Sequence, residues 1–207
     1  MANNTVKITC VGDGATGKTC CLSVYALGEF PEAYVPTVFE NYTTVLNLPN
    51  GNEVTVSLFD TAGQDDYERL RPLSYPHTNC VVLVFDITDP VTFENAEEKW
   101  VKEIRHYLPN VPIVFVGNKS DLRGDQHKLA ELRRRGISPL NEADIKERII
   151  NLGGCNYFEA SAKNSVNIKE AFNYAAFAGS QQSKGKTVPV MGGSGKSKKK
   201  KWYRFGL

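Results

Sequence analysis

The most informative stretch of this 207-residue chain is Gly12-Asp13-Gly14-Ala15-Thr16-Gly17-Lys18-Thr19. It fits the pattern G-x-x-x-x-G-K-[ST] and lies between a β-rich segment, residues 6–11, and an apolar segment, residues 20–27. Glycines in that position let backbone N–H groups turn towards phosphate oxygens at the positive end of a helix. The stretch therefore predicts a phosphate-binding loop. The alternative is a plain strand-to-helix turn, which the match at every defined position makes a poor explanation.

Two side chains of this loop have a predicted chemical task. Lys18 is expected to reach the β- and γ-phosphates of a nucleotide, and the hydroxyl of Thr19 is expected to ligate Mg²⁺. The loop by itself does not distinguish ATP from GTP.

Strand-like and helix-like segments alternate along the rest of the chain. Residues 42–48 and 53–60 flank an Asn-Gly pair that predicts a hairpin, and residues 80–86 and 112–116 are apolar runs typical of buried parallel strands. Residues 157–159 predict a short last strand. Two groups of apolar residues each have the spacing of one face of a helix, and each predicts a helix. The first group is Phe93, Ala96, Trp100 and Ile104, and the second is Ile168, Ala171, Phe172 and Ala175. The order predicts an α/β fold with a mostly parallel, six-stranded, doubly wound sheet, one antiparallel strand, and helices on both faces.

The composition excludes several classes of protein. A hydrophobic content of 41% and a charged content of 23% are those of an ordinary globular chain, and no stretch approaches the ~18–20 apolar residues of a spanning helix. Residues 1–5 lack the basic and apolar regions of a secretory signal. The cysteines have neither disulfide nor zinc spacing, so we expect reduced thiols and a cytoplasmic location. They are Cys10, Cys20, Cys21, Cys80 and Cys155.

The net charge of +2 combines two opposed parts. From Lys184 onward the chain has eight bases and no acid, which leaves 17 bases against 23 acids in residues 1–183. An acidic body with a basic tail indicates contact between the tail and a polyanion. Periodicity stops near residue 180, so we expect one domain over residues 1–180 and a flexible polybasic tail over residues 181–207, ending in an aromatic-basic segment.

Two later motifs indicate which base is bound. Asn118-Lys119-Ser120-Asp121 and Ser161-Ala162-Lys163 each follow a predicted strand, so both are expected at the carboxyl edge of the sheet, where such folds bind ligands. The Asp121 carboxylate can accept two hydrogen bonds from guanine, whereas adenine would leave it unsatisfied at a cost of about 1–3 kcal/mol. The motifs favour guanine.

Together these motifs resemble those of the Ras-like small GTPases and, within them, the Rho/Rac family. The resemblance covers about residues 5–180 and implies the fold of P-loop NTPases. A segment at about 124–139 looks like the helical insert that separates Rho-type members from the rest of the superfamily. The other segments that carry the resemblance are Tyr34-Val35-Pro36-Thr37-Val38-Phe39-Glu40-Asn41-Tyr42, Asp60-Thr61-Ala62-Gly63-Gln64 and Arg69-Leu70-Arg71-Pro72-Leu73-Ser74-Tyr75-Pro76.

The resemblance implies a GTP-binding switch that hydrolyses GTP slowly to GDP. Gln64 would orient the attacking water, and Thr19, Thr37 and Asp60 (the last through water) would hold Mg²⁺. Val38, Phe39, Glu40, Asn41 and Tyr42 would face effectors. The nucleotide-binding residues would be Asp13, Gly14, Ala15, Thr16, Gly17, Lys18, Thr19, Cys20, Phe30, Tyr34, Thr37, Gly63, Asn118, Lys119, Asp121, Ser161, Ala162 and Lys163.

The implied partners are guanine nucleotide, Rho-type exchange factors, GTPase-activating proteins and effectors, with a monomeric chain acting in cytoskeletal and membrane signalling. A nucleotide-locked binding module with negligible turnover is the competing function. Intact Gly14, Thr37 and Gln64 argue against that alternative. An ATPase or a small-molecule kinase does not agree with the motif at residues 118–121.

The chain departs from the family at several points. Thr16 replaces the usual valine, Phe59 stands where many Rac and Rho proteins have tryptophan, and Asn118 is the common asparagine rather than the threonine of the closest Rac proteins. No cysteine follows Cys155, so we expect no prenylation at the C-terminal site that family members usually carry.

Three interpretations of the tail remain open. Its lysines and aromatic residues favour a lipid-free contact with an anionic membrane, which would place the protein at the inner face of the plasma membrane. A nuclear or nucleic-acid patch is the second interpretation, and a nucleic-acid partner is the weaker expectation. A solvated tail without a partner is the third.

Overall fold

The fold is an open, twisted sheet between two layers of helices. The computed structural model describes residues 5–31, 39–48, 51, 53–64 and 67–192, and it gives only the backbone of Phe39. The strands are β1 (Thr5–Val11), β2 (Phe39–Asn47), β3 (Glu53–Thr61), β4 (Cys80–Asp86), β5 (Ile113–Asn118) and β6 (Asn156–Glu159).

The strands lie in the order β2-β3-β1-β4-β5-β6. The pair β2–β3 is antiparallel, and the other four pairs are parallel. The predicted fold class, a six-stranded and mostly parallel sheet with one antiparallel strand, is therefore confirmed. Since β1, β4, β5 and β6 run in the same direction, the loops after their carboxyl ends meet at one edge.

The helices follow the strands as α1 (Lys18–Leu27), α2 (Pro90–Asn95), α3 (Val101–Tyr107), α4 (Gln126–Arg134), α5 (Glu142–Asn151) and α6 (Ile168–Gln182). A π-helical segment, Ala96–Trp100, joins α2 directly to α3. Short 3₁₀ turns occur at Arg71–Ser74 and Ser120–Arg123. Within the part of the chain that the structure describes, no helix is long and apolar enough to cross a membrane.

Alternation along the strands produces two hydrophobic cores. In β4, Val82 and Val84 belong to the core under α1 and α6, whereas Leu83 and Phe85 belong to the core under α2, α3 and α5. Successive side chains of a strand face opposite sides, so a fully apolar strand requires cover on both. All seven residues of β4 are buried, as the sequence pattern predicted.

Two helical features escaped the sequence analysis. Helix α5 begins after Asn141, whose side chain accepts hydrogen bonds from the N–H groups of residues 143 and 144, and it buries only Ile145 and Ile149. So few apolar positions give a weak periodic signal. The π-helical turn was also missed, because the apolar spacing from Phe93 to Ile104 is compatible with an ordinary α-helix.

The chain beyond α6 packs on the domain as far as the structure describes it. Val188 contacts one core and Met191 the other, and the Met191 N–H donates to Gly154 O at 2.8 Å. The predicted boundary at residue 180 stays a prediction, but residues 183–192 lie against the domain and do not lead away from it. The rest of the predicted tail, residues 193–207, lies outside the described part.

Candidate nucleotide and metal site

The phosphate loop closes between β1 and α1 with two residues in left-handed backbone conformations. Ala15 has φ 62° and Gly17 has φ 90°. A Cβ on Gly17 would lie 2.4 Å from the amide nitrogen of Asn118, so a glycine is required there for space as well as for conformation. Gly14 and Ala15 are exposed at the lip of the loop. The predicted phosphate loop therefore has the strained, open shape that such loops use.

Lys18 lies buried inside this loop. Its ammonium group donates to Gly12 O at 2.9 Å and to Asp13 O at 2.8 Å. Burial lowers the pKa of Lys18, and the nearby carboxylate of Asp60 acts in the opposite direction. The structure thus places a cation directly beneath the loop that is predicted to hold phosphates, where little water screens it.

The predicted metal ligands Thr19 and Asp60 meet across α1 and β3. The Thr19 hydroxyl donates to Asp60 Oδ2 at 2.5 Å. Asp60 is fully buried, and its Oδ1 has no hydrogen-bond partner within the described ranges. Burial raises the pKa of the Asp60 carboxyl, and the hydrogen bond from Thr19 opposes that rise. A desolvated carboxylate oxygen without a partner is costly, and a hydrated Mg²⁺ would satisfy it.

Gly63 brings the loop after β3 against the phosphate loop. A Cβ on Gly63 would lie 2.4 Å from Gly12 O and 2.5 Å from Gly14 N, so no larger residue fits in this arrangement. The next residue, Gln64, is half-buried, and its Cγ would lie 3.8 Å from a Cβ on Gly14. The predicted catalytic glutamine is therefore adjacent to the predicted phosphate loop.

Asn118 ties three loops together at the end of β5. Its amide nitrogen donates to Thr16 O at 2.9 Å, and its amide oxygen accepts from the Ala162 N–H at 3.1 Å. Asn118 is buried. The sequence predicted a nucleotide contact at this residue, and the contacts seen in the structure join the phosphate loop to the two motifs expected to hold the base.

The remaining base-site residues are held by polar contacts. The Ser161 hydroxyl donates to Asp121 Oδ1 at 2.6 Å. Lys119, in a left-handed conformation with φ 66°, pairs with Asp86 Oδ2 at 2.7 Å. Arg123 forms two 2.6 Å hydrogen bonds to Glu159, which fasten the turn after Asp121 to the end of β6. Lys163 is exposed beside this group.

Several residues that were predicted to bind the nucleotide or to face effectors are either more exposed than the rest or outside the described part of the chain. Tyr34, Thr37, Val38 and the side chain of Phe39 fall outside the described part of the chain. Phe30 is 43% exposed. Cys20 is half-buried, and burial raises the pKa of its thiol, which leaves it a weak nucleophile.

The expected effector strand lies at the outer edge of the sheet. Glu40 and Asn41 are exposed on β2, and the hydroxyl of half-buried Tyr42 donates to Glu40 Oε2 at 2.5 Å. As an edge strand, β2 has one side that no other described strand covers.

The structure adds residues that the sequence analysis did not assign to the site. Asp86, at the carboxyl end of β4, accepts from Thr88 and pairs with Lys119. Because Asp86 is an acidic residue at the end of an apolar strand, the sequence could have indicated its place at the site. Asp13 accepts from Asn95 and Trp100, each at 2.7 Å. Nothing in the sequence pointed to those two partners, since they lie more than 80 residues away.

The fold and the site are those of a P-loop nucleotide-binding protein. A sequence model of the Ras family matches residues 7–178. The human Rho-related GTP-binding protein RhoB is 46% identical over 182 residues, which cover 88% of this chain and 92% of that protein. GTP-binding protein Rho1 of Kluyveromyces lactis is 45% identical over 192 residues, which cover 93% of this chain and 92% of that protein. The chain therefore belongs to the Ras family, as one of its Rho-type small GTPases.

Membership of this family establishes the activity. The chain is a GTPase and a GTP-binding switch of Rho-type signalling, which binds GTP and GDP and acts with regulators and effectors. The resemblance drawn from the motifs is thereby confirmed. The competing function, a binding module without turnover, disagrees with the activity of the family.

Proposed function

We propose that GTP binds along the carboxyl edge of the sheet with its phosphates in the loop Gly12–Thr19 and that Gln64 is the catalytic residue. The observation that carries this proposal is the contact of Gly63 with the phosphate loop, which places Gln64 beside Gly14. Hydrolysis of this kind depends on positioning and on electrostatic stabilisation far more than on covalent chemistry by the protein. Gln64 orients the attacking water, and the Gly63 N–H binds the γ-phosphate.

The base end of the proposed site selects guanine. Asp121 reads the guanine edge, Lys119 lies along the base, Phe30 packs against it, and the Ala162 N–H lies near the carbonyl oxygen. Support comes from the hydrogen bonds that hold Asp121 to Ser161 and Ala162 to Asn118, because they orient both groups before a ligand binds. Lys163, exposed beside Ser161, completes the set.

Mg²⁺ fits the pair formed by Thr19 and Asp60. We propose that Thr19 and Thr37 ligate the ion and that Asp60 holds it through water. The partnerless Oδ1 of buried Asp60 supports this assignment. When bound, the ion neutralises charge on the β- and γ-phosphates.

The test is the Gln64→Leu variant in a single-turnover assay with preloaded GTP. Hydrolysis slows by about tenfold or more because the water is no longer oriented, while the affinity for GTP stays within about twofold. Gln126→Leu, at the exposed start of α4, is the matched control and leaves the rate unchanged. An unchanged rate in Gln64→Leu would remove the proposed role.

The conformation of the switch depends on which nucleotide is bound. The γ-phosphate and Mg²⁺ order the segments around Thr37 and Gln64, and hydrolysis releases them. Exchange factors and GTPase-activating proteins of Rho type control the cycle, and Val38, Phe39, Glu40, Asn41 and Tyr42 face effectors. The exposure of Glu40 and Asn41 on an edge strand supports that surface. The chain acts as a monomer in cytoskeletal signalling.

We also propose that the basic segment beyond residue 192 binds anionic membrane at the cytoplasmic face of the plasma membrane. Each basic residue near such a surface contributes about 1 kcal/mol. Because residues 183–192 pack on the domain, the test compares the whole chain with one that ends at Gly192. The whole chain co-sediments with phosphatidylserine vesicles at low salt and the shorter chain does not. Equal sedimentation would eliminate this proposal.

A further inference from the structure

A buried arginine lies directly under the loop that carries Gln64. The side chain of Arg71 is 1% exposed. Its guanidinium donates to Ala62 O at 3.3 Å through Nε and to Gln64 O at 3.4 Å through a terminal nitrogen. The other terminal nitrogen pairs with Glu103 on α3 at 2.7 Å. One planar cation thus connects the backbone on both sides of Gly63 to a helix in the layer below.

Trp100 holds this arginine from one face. The guanidinium carbon lies 4.2 Å from the centre of the Trp100 ring, within the range of a cation–π interaction. Trp100 is itself fully buried, and its indole N–H donates to Asp13 Oδ1 at 2.7 Å. Asp13 belongs to the phosphate loop. The contacts therefore run from the phosphate loop through Trp100 and Arg71 to the backbone carbonyls at Ala62 and Gln64.

We propose that Arg71 is a positioning residue for Gln64 and that Trp100 couples it to Asp13, so that the phosphate loop and the glutamine loop are held by one framework. The inference rests on the proposed catalytic role of Gln64. Arg71 acts through backbone carbonyls, and its own charge is neutralised by Glu103 and not by the nucleotide. The guanidinium carries its donors on three separate nitrogens at fixed angles, so it reaches two carbonyls and a carboxylate that a single ammonium nitrogen at this place would not reach together.

The first variant is Arg71→Lys, which keeps the charge opposite Glu103 and removes the fork. Single-turnover GTP hydrolysis slows by about tenfold, since small errors in the placement of a catalytic group reduce rates strongly. The rate of nucleotide dissociation stays within about twofold, because the proposed contacts of the ligand are intact. Loss of a merely structural contact would change dissociation and stability without this selective loss of hydrolysis.

Arg105→Lys is the matched control. Arg105 also donates to backbone carbonyls, at 2.7 Å to Val111 O and 3.5 Å to Gly153 O, but at the end of α3 remote from the phosphate loop. The same chemical change there leaves the hydrolysis rate as it is. A second variant, Trp100→Phe, keeps an aromatic face for Arg71 and removes the N–H donor to Asp13 together with part of a buried ring, so its stability is measured beside its rate. It slows hydrolysis in the same direction by about threefold.

Testing Arg71→Lys both in the parent protein and together with Gln64→Leu distinguishes a failure of this inference from a failure of the proposed role of Gln64. If Arg71 acts through Gln64, Arg71→Lys slows the parent enzyme and has no further effect in Gln64→Leu. Equal slowing in both backgrounds, or a normal rate in Arg71→Lys with a slow Gln64→Leu, overturns the inference and leaves the role of Gln64 in place. A normal rate in Gln64→Leu alone removes both.

Discussion

Gly63 is the residue at which the two loops of the phosphate end meet. The space for its Cβ is already filled by backbone atoms of Gly12, Asp13 and Gly14, at 2.4–2.5 Å. Backbone cannot move aside as a flexible side chain can, so a methyl group must displace one loop or the other. The distance between Gln64 and the phosphates is therefore set partly by the absence of a side chain at the preceding position.

The Gly63→Ala variant is expected to hydrolyse GTP at least about tenfold more slowly in a single-turnover assay, because the glutamine loop is displaced. Gly124→Ala is the control, since a Cβ at Gly124 meets nothing within 4 Å and its φ of −98° suits alanine. Equal rates in the two variants would mean that the contact of Gly63 with the phosphate loop has no part in catalysis.

Asp60 carries an electrostatic cost that a metal ion would remove. Asp60→Asn exchanges a buried carboxylate with a partnerless oxygen for a neutral amide, so we expect the variant to be at least as stable as the parent without Mg²⁺.

Adding Mg²⁺ to the GDP-bound parent should raise its Tm by a few degrees, and this gain should be largely lost in Asp60→Asn. Asp144→Asn, an exposed acid on α5, should retain it. Thermal melts with and without chelator measure the difference, and an identical gain in parent and Asp60→Asn would contradict the assigned metal site.

At the scale of elements, the π-helical segment Ala96–Trp100 explains how one carboxylate receives two donors from one helix. Asn95 and Trp100 are five residues apart and would diverge by about 140° around an α-helix. In a π-turn, residues five apart are joined by the backbone hydrogen bond and lie on one side. Both therefore reach Asp13. A register change in the helix thus adds two contacts to the phosphate loop.

The loops at the ends of β1, β5 and β6 depend on Asn118 for their relative placement. In Asn118→Ala, Thr16 O and the Ala162 N–H lose their partner, and each unsatisfied buried group costs about 1–3 kcal/mol. We expect a lower free energy of unfolding and nucleotide dissociation that is about tenfold faster or more. Denaturant titration and release of a fluorescent GDP analogue measure the two effects. Asn151→Ala, at the exposed end of α5, should change neither.

For the whole molecule, residues 183–192 act as a strap over the amino ends of β5 and β6. Cys155 directly precedes β6 and donates its N–H to the O of Ile113, the first residue of β5. The Met191 N–H donates to the O of the neighbouring Gly154, so the strap is attached at this end of the sheet. The nucleotide loops lie at the opposite, carboxyl edge of the same strands. The segment that leads to the basic tail therefore departs from the end of the sheet opposite to the phosphate loop.

The strap should contribute measurably to stability. Substituting both Val188 and Met191 by Ala removes apolar contacts with the two cores and should lower the free energy of unfolding by about 1–3 kcal/mol. Val190→Ala is the control, because Val190 is 49% exposed, and should change it by less than about 0.5 kcal/mol. Urea titration measures all three, and equal values for the double variant and Val190→Ala would show that the strap is not held by these contacts.

Local patterns were sufficient for the fold and for most of the candidate site. A fully apolar strand requires cover on both faces, and the pattern G-x-x-x-x-G-K-[ST] between a strand and a helix is specific for a phosphate-binding loop. Spacing along the chain was therefore enough to predict the sheet and the residues at its carboxyl edge. The apolar spacing did not predict α5, which buries only two apolar residues, or the π-helical turn, which leaves the spacing compatible with an ordinary α-helix.

Contacts between residues that are far apart in the sequence could be identified only from the tertiary structure. Trp100 and Asp13 are 87 residues apart, and Asn118 and Thr16 are 102 apart. Such pairs depend on crossover lengths, on strand order and on helix register together, and a one-residue change of register would separate them. The tertiary structure alone therefore revealed that Arg71 lies beneath Gln64, that Asp60 keeps a partnerless oxygen among the described residues, and that the strap packs on the edge opposite the nucleotide loops.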